Sequence, residues 1–169
     1  TTGQVTTTQS LDRESMARHD FAVIATDNKN PRLTGQAALI ITVQDINDHN
    51  PVFEQTQYDH EVSESISLGA TVLTVRASDG DTGINAEIEY SILNPSGDNE
   101  AFRIDPRTGS IITRQHLDRE KTDSYRLHIM ASDNGPVPNR LTATTNVHLT
   151  ILDENDNKPQ FEKSSYTLD

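Results

Sequence analysis

The sequence has no cysteine and no tryptophan, and only 5% of its 169 residues are aromatic. Without cysteine there are no disulfide staples, so small extracellular modules built from this chain need another crosslink, and bound metal is the obvious one. Apolar residues reach only 33%, which excludes one large core and favours small modules with thin ones. Basic residues are scarce as well: 14 Lys and Arg face 26 Asp and Glu, for a formal charge of −12. That balance excludes a nucleic-acid binder, because phosphate contact requires Lys and Arg. No apolar run approaches the ~20 residues needed to cross a bilayer, and no leader pattern opens the chain. What is left in excess is acid. Diffuse acidity only confers solubility, so the positions of the acids must decide.

Those positions repeat. Asp45-Ile46-Asn47-Asp48-His49-Asn50-Pro51 follows a strand-like run, and Asp153-Glu154-Asn155-Asp156-Asn157-Lys158-Pro159 returns 108 residues later. Leu11-Asp12-Arg13-Glu14 recurs as Leu117-Asp118-Arg119-Glu120, 106 residues on. Thr2-Gly3 matches Thr108-Gly109, Ala25-Thr26-Asp27 matches Ala131-Ser132-Asp133, and Phe53 with Tyr58 matches Phe161 with Tyr166. Landmarks at one spacing describe an array of ~100-residue modules, the size of an immunoglobulin-like sandwich. The expected division is 1–50 for the last three strands and linker of an upstream module, 51–157 for a complete module, and 158–169 for the first strand of a third.

Period-two alternation within the complete module is clearest at Leu73-Val75-Ala77, Tyr125-Leu127-Ile129-Ala131 and Val147-Leu149-Ile151. Further strands are expected at 58–62, 88–93, 102–104 and 110–113. Turn chemistry separates them at Asp79-Gly80-Asp81, Asn94-Pro95-Ser96-Gly97, Asp105-Pro106 and Asn134-Gly135-Pro136. The pattern predicts an all-β chain of tandem seven-stranded Greek-key sandwiches. Each alternating series ends with an aspartate at its next inward position: Asp79, Asp133 and Asp153, and Asp27 and Asp45 upstream. A carboxylate there cannot lie unpaired under a core, but it fits the rim of a sandwich. If the first strand runs down, the second, fourth and sixth end at the top, and the others, including the seventh, end at the bottom. Asp79, Asp81 and Asp133 then meet at the top, while Glu64, Asp118, Glu120 and Asp153 meet at the bottom.

At the first joint Asp12, Glu14, Asp45, Asp48, Asp79, Asp81 and Asp133 converge with the amide of Asn47. Without counter-charge, several would need raised pKa values. Calcium matches the inventory, since it takes carboxylate, amide and backbone oxygens in flexible geometry. Zinc would want Cys or His, and the histidines do not cluster. The simpler alternative, acids serving as ordinary turn residues, applies to any one of them taken singly. An EF-hand at Asp79-Gly80-Asp81-Thr82-Gly83 fails, because Ile84 takes the glycine position and Tyr90 the final glutamate position.

In these residues the chain resembles the extracellular cadherin repeat, whose linker reads Asp-x-Asn-Asp-Asn-x-Pro. Residues 153–159 match it in full, and residues 45–51 match with His49 in place of the third Asn. Both Asp-Arg-Glu motifs, Glu64, the Asp79/Asp81 pair with Asn85-Ala86, and Ala131-Ser132-Asp133 also fit. The resemblance implies about three calcium ions at a complete joint. Asp12, Glu14 and Asp48 would hold the outermost ion. Glu14, Asp45, Asp48 and Asp81 would share the second with the Ile46 carbonyl. Asn47, Asp79, Asp81 and Asp133 would hold the third with the His49 and Asn85 carbonyls. At the second joint Glu64, Asp118, Glu120, Asp153, Glu154 (at the position of Ile46) and Asp156 are present without a downstream Asp-x-Asp, which implies weaker, partial binding. Asp27 belongs to an earlier joint.

The function implied is that of a calcium-dependent cell-adhesion ectodomain fragment, in which the ions stiffen the joints. The implied location is the extracellular part of a single- or multi-pass plasma-membrane protein. Its partners would be other cadherin ectodomains, homophilic or heterophilic, in cis or trans. The linker wording resembles the protocadherin, Fat, Dachsous and Flamingo branches more than the strand-swapping cadherins, whose exposed Trp has no counterpart here. A calcium-stiffened spacer without adhesive role is the second reading. Catalysis by paired carboxylates is set aside, because every pair repeats per module at a joint and not in a cleft. Asn94-Pro95-Ser96 is no glycosylation site, and Thr142, Thr144 and Thr145 are either O-linked sugar carriers or ordinary strand residues.

Overall fold

The computed structural model describes residues 3–93, 100–160, 162 and 165. The strands are β1 (Arg18–Thr26), β2 (Thr34–Thr42), β3 (Val52–Phe53), β4 (Gln57–Ser63), β5 (Thr71–Thr74) and β6 (Ala77–Ser78). They continue with β7 (Ile88–Leu93), β8 (Phe102–Ile104), β9 (Ser110–Thr113), β10 (Ser124–Asp133) and β11 (Thr142–Leu152). A short 3-10 turn spans Gly83–Asn85, and Glu100 and Ala101 are also in 3-10 conformation. The expected turn at 94–97 and Phe161 with Tyr166 lie outside the described residues. So does most of the strand expected over 158–169.

Two compact units divide the chain. One comprises Thr1–Val52, Ser78–Ile88 and Ser132–Ala143; the other comprises Phe53–Ala77, Glu89–Ala131 and Thr144–Asp169.

The second unit holds the core. A four-stranded sheet runs in the order β4-β11-β10-β7, and a three-stranded sheet in the order β5-β9-β8. β4 and β11 pair in parallel, from Gln57 opposite Asn146 to Ser63 opposite Leu152. Strands that both end at the bottom should pair this way. Leu127, Ile129 and Ala131 of β10 and Leu149 of β11 are fully buried, with Val147 and Ile151 nearly so. Their period-two spacing is what turns all of them to one face. Phe102 packs edge-on to Tyr125, ring centroids 5.0 Å apart.

One expected alternation fails. Leu73 is only half-buried and Val72 takes the inward place, because the β5–β9 register shifts between Thr71 and Leu73. One extra residue in a bulge inverts the facing of what precedes it. The strand then divides: Val75 N–H still reaches Gly109 O at 3.0 Å, while β6 pairs with β3. Gly109 has φ +69, and a Cβ there would stand 2.3 Å from Val75 O, so only glycine fits. Gly3, its counterpart in the repeat, has φ +62.

In the first unit β1 and β2 form an antiparallel ribbon, from Arg18 opposite Thr42 to Thr26 opposite Thr34. Three upstream strands were expected, but the described residues before Arg18 form none. A strand needs a neighbour's ladder: Ser110–Thr113 finds β5 and β8, and the stretch after Gly3 has no such partners here. Phe21 is accordingly 52% exposed, and Val23, Ile24 and Ile40 are exposed too. Thr145 is buried with its hydroxyl on Gln55 O and Thr56 O, which removes it as a sugar acceptor.

Leu127→Ala is expected to cost about 2–5 kcal/mol in urea unfolding, from lost burial plus the residual cavity. Thr150→Ala, at an exposed position of the same sheet, is expected to stay within about 0.5 kcal/mol.

Candidate metal centre

The first acidic cluster lies wholly within the first unit, and each of its elements is shaped locally. Asp12 accepts from the Glu14 N–H at 3.0 Å, the Ser15 N–H at 3.3 Å and the Ser15 hydroxyl at 2.7 Å. These bonds, led by the Ser15 hydroxyl, hold its carboxyl below the ordinary range. They also aim Arg13 and Glu14. β10 ends at Asp133, which is fully buried and accepts from the N–H of Gly135 (2.9 Å) and Leu141 (2.8 Å). Asp27 organises the equivalent upstream loop in the same way, through the N–H of Lys29 at 3.2 Å and Leu33 at 3.1 Å.

The linker reaches into both loops. Asn47 donates its amide to Asp133 Oδ2 at 3.0 Å and to Asn139 O at 2.6 Å. A Cβ on Gly135 would come within 2.4 Å of that amide nitrogen, so the approach requires glycine. Asp45 accepts from the Asn85 amide at 2.9 Å and the Thr82 N–H at 3.4 Å. Burial acts most strongly on Asp45 and in the upward direction, yet these bonds and the Arg13 charge together bring its carboxyl below the usual range. Asp79 is the opposite case: burial, followed by the charges of Asp81 and Asp133, pushes its carboxyl up. His49 Nδ1 lies 2.9 Å from Asp48 Oδ1 and 3.1 Å from Asp81 Oδ1, and the His49 backbone N–H donates to Asp81 Oδ2 at 3.2 Å. The Asp48 contact leads in raising the imidazole pKa.

Two ligand sets close up here: Glu14 with Asp45 and Asp81, and Glu14 with Asp48 and His49, the atoms of each within 4.8 Å of one another. Asn47 Oδ1, Asp79 Oδ2 and Asn85 Oδ1 are buried without a hydrogen-bond partner. Buried acceptors are normally satisfied, so orphaned oxygens clustered among carboxylates fit a hard cation. The Ile46 side chain carries no ligand atom, so only its carbonyl, which accepts the Asp48 N–H at 2.9 Å, is an oxygen this residue could offer. Asp12 joins neither set, since its own turn engages it.

The second cluster lies within the second unit. Glu64, 7% exposed, receives the Arg119 N–H and the Glu154 N–H, each at 2.7 Å. Its carboxylate thereby gathers Glu120 and Asp153, with ligand atoms within 4.8 Å. Asp118 is drawn off by Lys121 Nζ at 2.6 Å, whose hydrogen bond leads in lowering its pKa. The Glu154 side chain turns to Ser63 Oγ at 2.9 Å, and Asp156 meets the Asn157 amide at 2.8 Å. Neither joins the trio.

Sequence reading missed Arg13 and Arg119. Arg13 ion-pairs with Glu14 and Asp45 and donates to Gly80 O at 3.0 Å, while Arg119 pairs with Asp153 and Glu120. Their signal was available: a cation stands between two acids in a motif that occurs twice.

Fold and site together define a β-sandwich repeat protein with acid clusters at its linkers. The cadherin domain family matches residues 1–44 and 58–152, and the chain belongs to the cadherin family. It is 47% identical over 169 residues to the human "Cadherin EGF LAG seven-pass G-type receptor 2", covering 99% of this chain and 6% of that protein. It is 46% identical over 176 residues to the Drosophila melanogaster "Protocadherin-like wing polarity protein stan", covering 99% of this chain and 5% of that one. The chain thus spans a small fraction of these relatives. Mouse cadherin-23 EC22-24 superposes with a TM-score of 0.80 at 38% identity, covering 92% of this chain and 49% of that one. Cadherin domains are adhesion modules, so the chain is not an enzyme.

A Cβ on Gly80 would stand 2.8 Å from the His49 ring. Gly80→Ala is expected to cost about 1–3 kcal/mol of stability. His49→Ala is expected to recover most of that loss, giving a non-additive double-mutant cycle in denaturant melts.

Proposed function

We propose that this chain is part of a calcium-dependent adhesion ectodomain, and that calcium bound by the first cluster stiffens the linker Asp45–Pro51. The observation that carries this is the set of buried, partnerless oxygens of Asn47, Asp79 and Asn85 beside the carboxylates of Asp45, Asp81 and Asp133. Bound calcium would supply divalent positive charge and accept oxygens in irregular geometry. The chain's residues do the rest. Asp133 locks the 133–141 loop and orients Asn47, Asn85 orients Asp45, and Glu14 and Asp48 face the outer ligand set. Glu64, Glu120 and Asp153 would give a second, weaker site, with fewer donors and more water. The division into an upstream part at 1–50, a complete repeat at 51–157 and a downstream start at 158–169 belongs to the same reading.

The chain lies in the extracellular part of a plasma-membrane protein, as does the cadherin region of a seven-pass relative. Its partners are other cadherin ectodomains, in cis or trans. Residues 3–93 and 100–160 contain no helix long and apolar enough to cross a membrane.

Calcium titration of this chain by calorimetry, with melting curves and small-angle scattering in calcium and in EGTA, tests the reading. Calcium should raise Tm and narrow the range of interdomain geometries. Unchanged Tm and scattering on chelation would refute it. Asp48→Ala should lower the calcium stoichiometry of the first cluster, because that carboxylate is assigned to two ions.

A further inference from the structure

We propose that Arg13 and Arg119, the central residues of the two Asp-Arg-Glu motifs, are tethered competitors for calcium that set the affinity of each cluster. The inference deepens the calcium reading and rests on it.

Arg13 is nearly buried, its side chain 14% exposed, and its guanidinium touches the carboxylates of Glu14 and Asp45. Glu14 and Asp45, together with Asp81, form an all-carboxylate set in the first unit. Arg119, in the other unit, repeats the arrangement: Nε reaches Asp153 Oδ1 at 3.0 Å and Nη2 reaches Glu120 Oε1 at 3.3 Å. Glu120 and Asp153 are again two of a three-acid set, here with Glu64. The surroundings differ, since Arg13 also holds Gly80 O and Arg119 has no such contact among its hydrogen bonds. What recurs is the cation on the glutamate that follows it and on the first linker aspartate.

A guanidinium keeps its charge at every accessible pH and directs its N–H groups in a fixed fork. Arg119 donates hydrogen bonds to Asp153 and Glu120, and Arg13 is ion-paired with Glu14 and Asp45, so these oxygens face a guanidinium and not a metal. A divalent ion coordinated by the same oxygens would also face a full positive charge at contact range. The two cations therefore exclude each other, and calcium enters by exchanging with the arginine, which swings toward solvent on its three-carbon stem. Calcium affinity is lowered by the strength of the pairs it replaces. In return the cluster is never left as bare, mutually repelling acids.

The test uses this 169-residue chain, with CaCl2 as the probe and MgCl2 as a control. Arg13→Gln should tighten calcium binding in the first cluster by roughly tenfold, consistent with loss of two partly buried ion pairs. It should also lower Tm in EGTA, where the acids lose their counter-charge. Arg13→Lys keeps the charge and should stay nearer the wild-type affinity. Arg119→Gln should tighten the weaker site in the same direction, which guards against a folding defect peculiar to the Arg13 variant. If wild type binds calcium while Arg13→Gln and Arg119→Gln bind it equally or more weakly, the arginines are struts beside the ions and the inference is overturned. Wild type that takes up no calcium would overturn the calcium reading itself, and this inference with it.

Discussion

Like charges at strand ends repel, and much of this chain is arranged around meeting that charge. Asp133 has no water to screen it and is satisfied by backbone N–H groups and the Asn47 amide. Asp79, close to Asp81 and Asp133, is pushed toward its protonated form. Arginine meets the charge at Glu14, Asp45, Glu120 and Asp153. Each solution also fixes a loop: the 133–141 loop by Asp133, the Asp-Arg-Glu turns by Asp12 and Asp118, and the linker by Asn47.

The core explains why the acids can sit there. β10 and β11 bury alternate apolar residues as far as Ala131 and Ile151, and the next position of that alternation is an aspartate in each strand's continuation. At Asp133 a loop closes over the carboxylate, whereas Asp153 stays exposed beside Arg119. The same strand-end logic thus yields a buried, rigid acid in one place and a solvated one in the other. The two clusters differ for that reason, more than because of their linker wording. The 153–159 motif is the fuller match to the family pattern, yet of its own residues only Asp153 joins the trio with Glu64 and Glu120.

Much of the fold was legible because β structure writes itself at short range. Strand β7 and the segments at 102–104 and 110–113 fall where alternation and turns put them, and the parallel β4–β11 pair follows from counting reversals. Strand β5 was misread because a bulge changes facing without changing composition. The upstream ribbon lost an expected strand because pairing depends on partners and not on the strand's own residues.

By itself the sequence determined the repeat, its spacing of about 106 residues, the aspartate that ends each apolar series, and the scarcity of counter-charge. These are one-dimensional properties that survive in any conformation. Only the tertiary structure decided which acids lie together. It took Asp12 and Asp118 into their own turns, turned Glu154 toward Ser63, and set Asn47 over Gly135. It also placed an arginine inside each cluster. These groupings depend on distances of a few ångströms between residues far apart in sequence, 86 positions for Asn47 and Asp133, and folding alone fixes those distances.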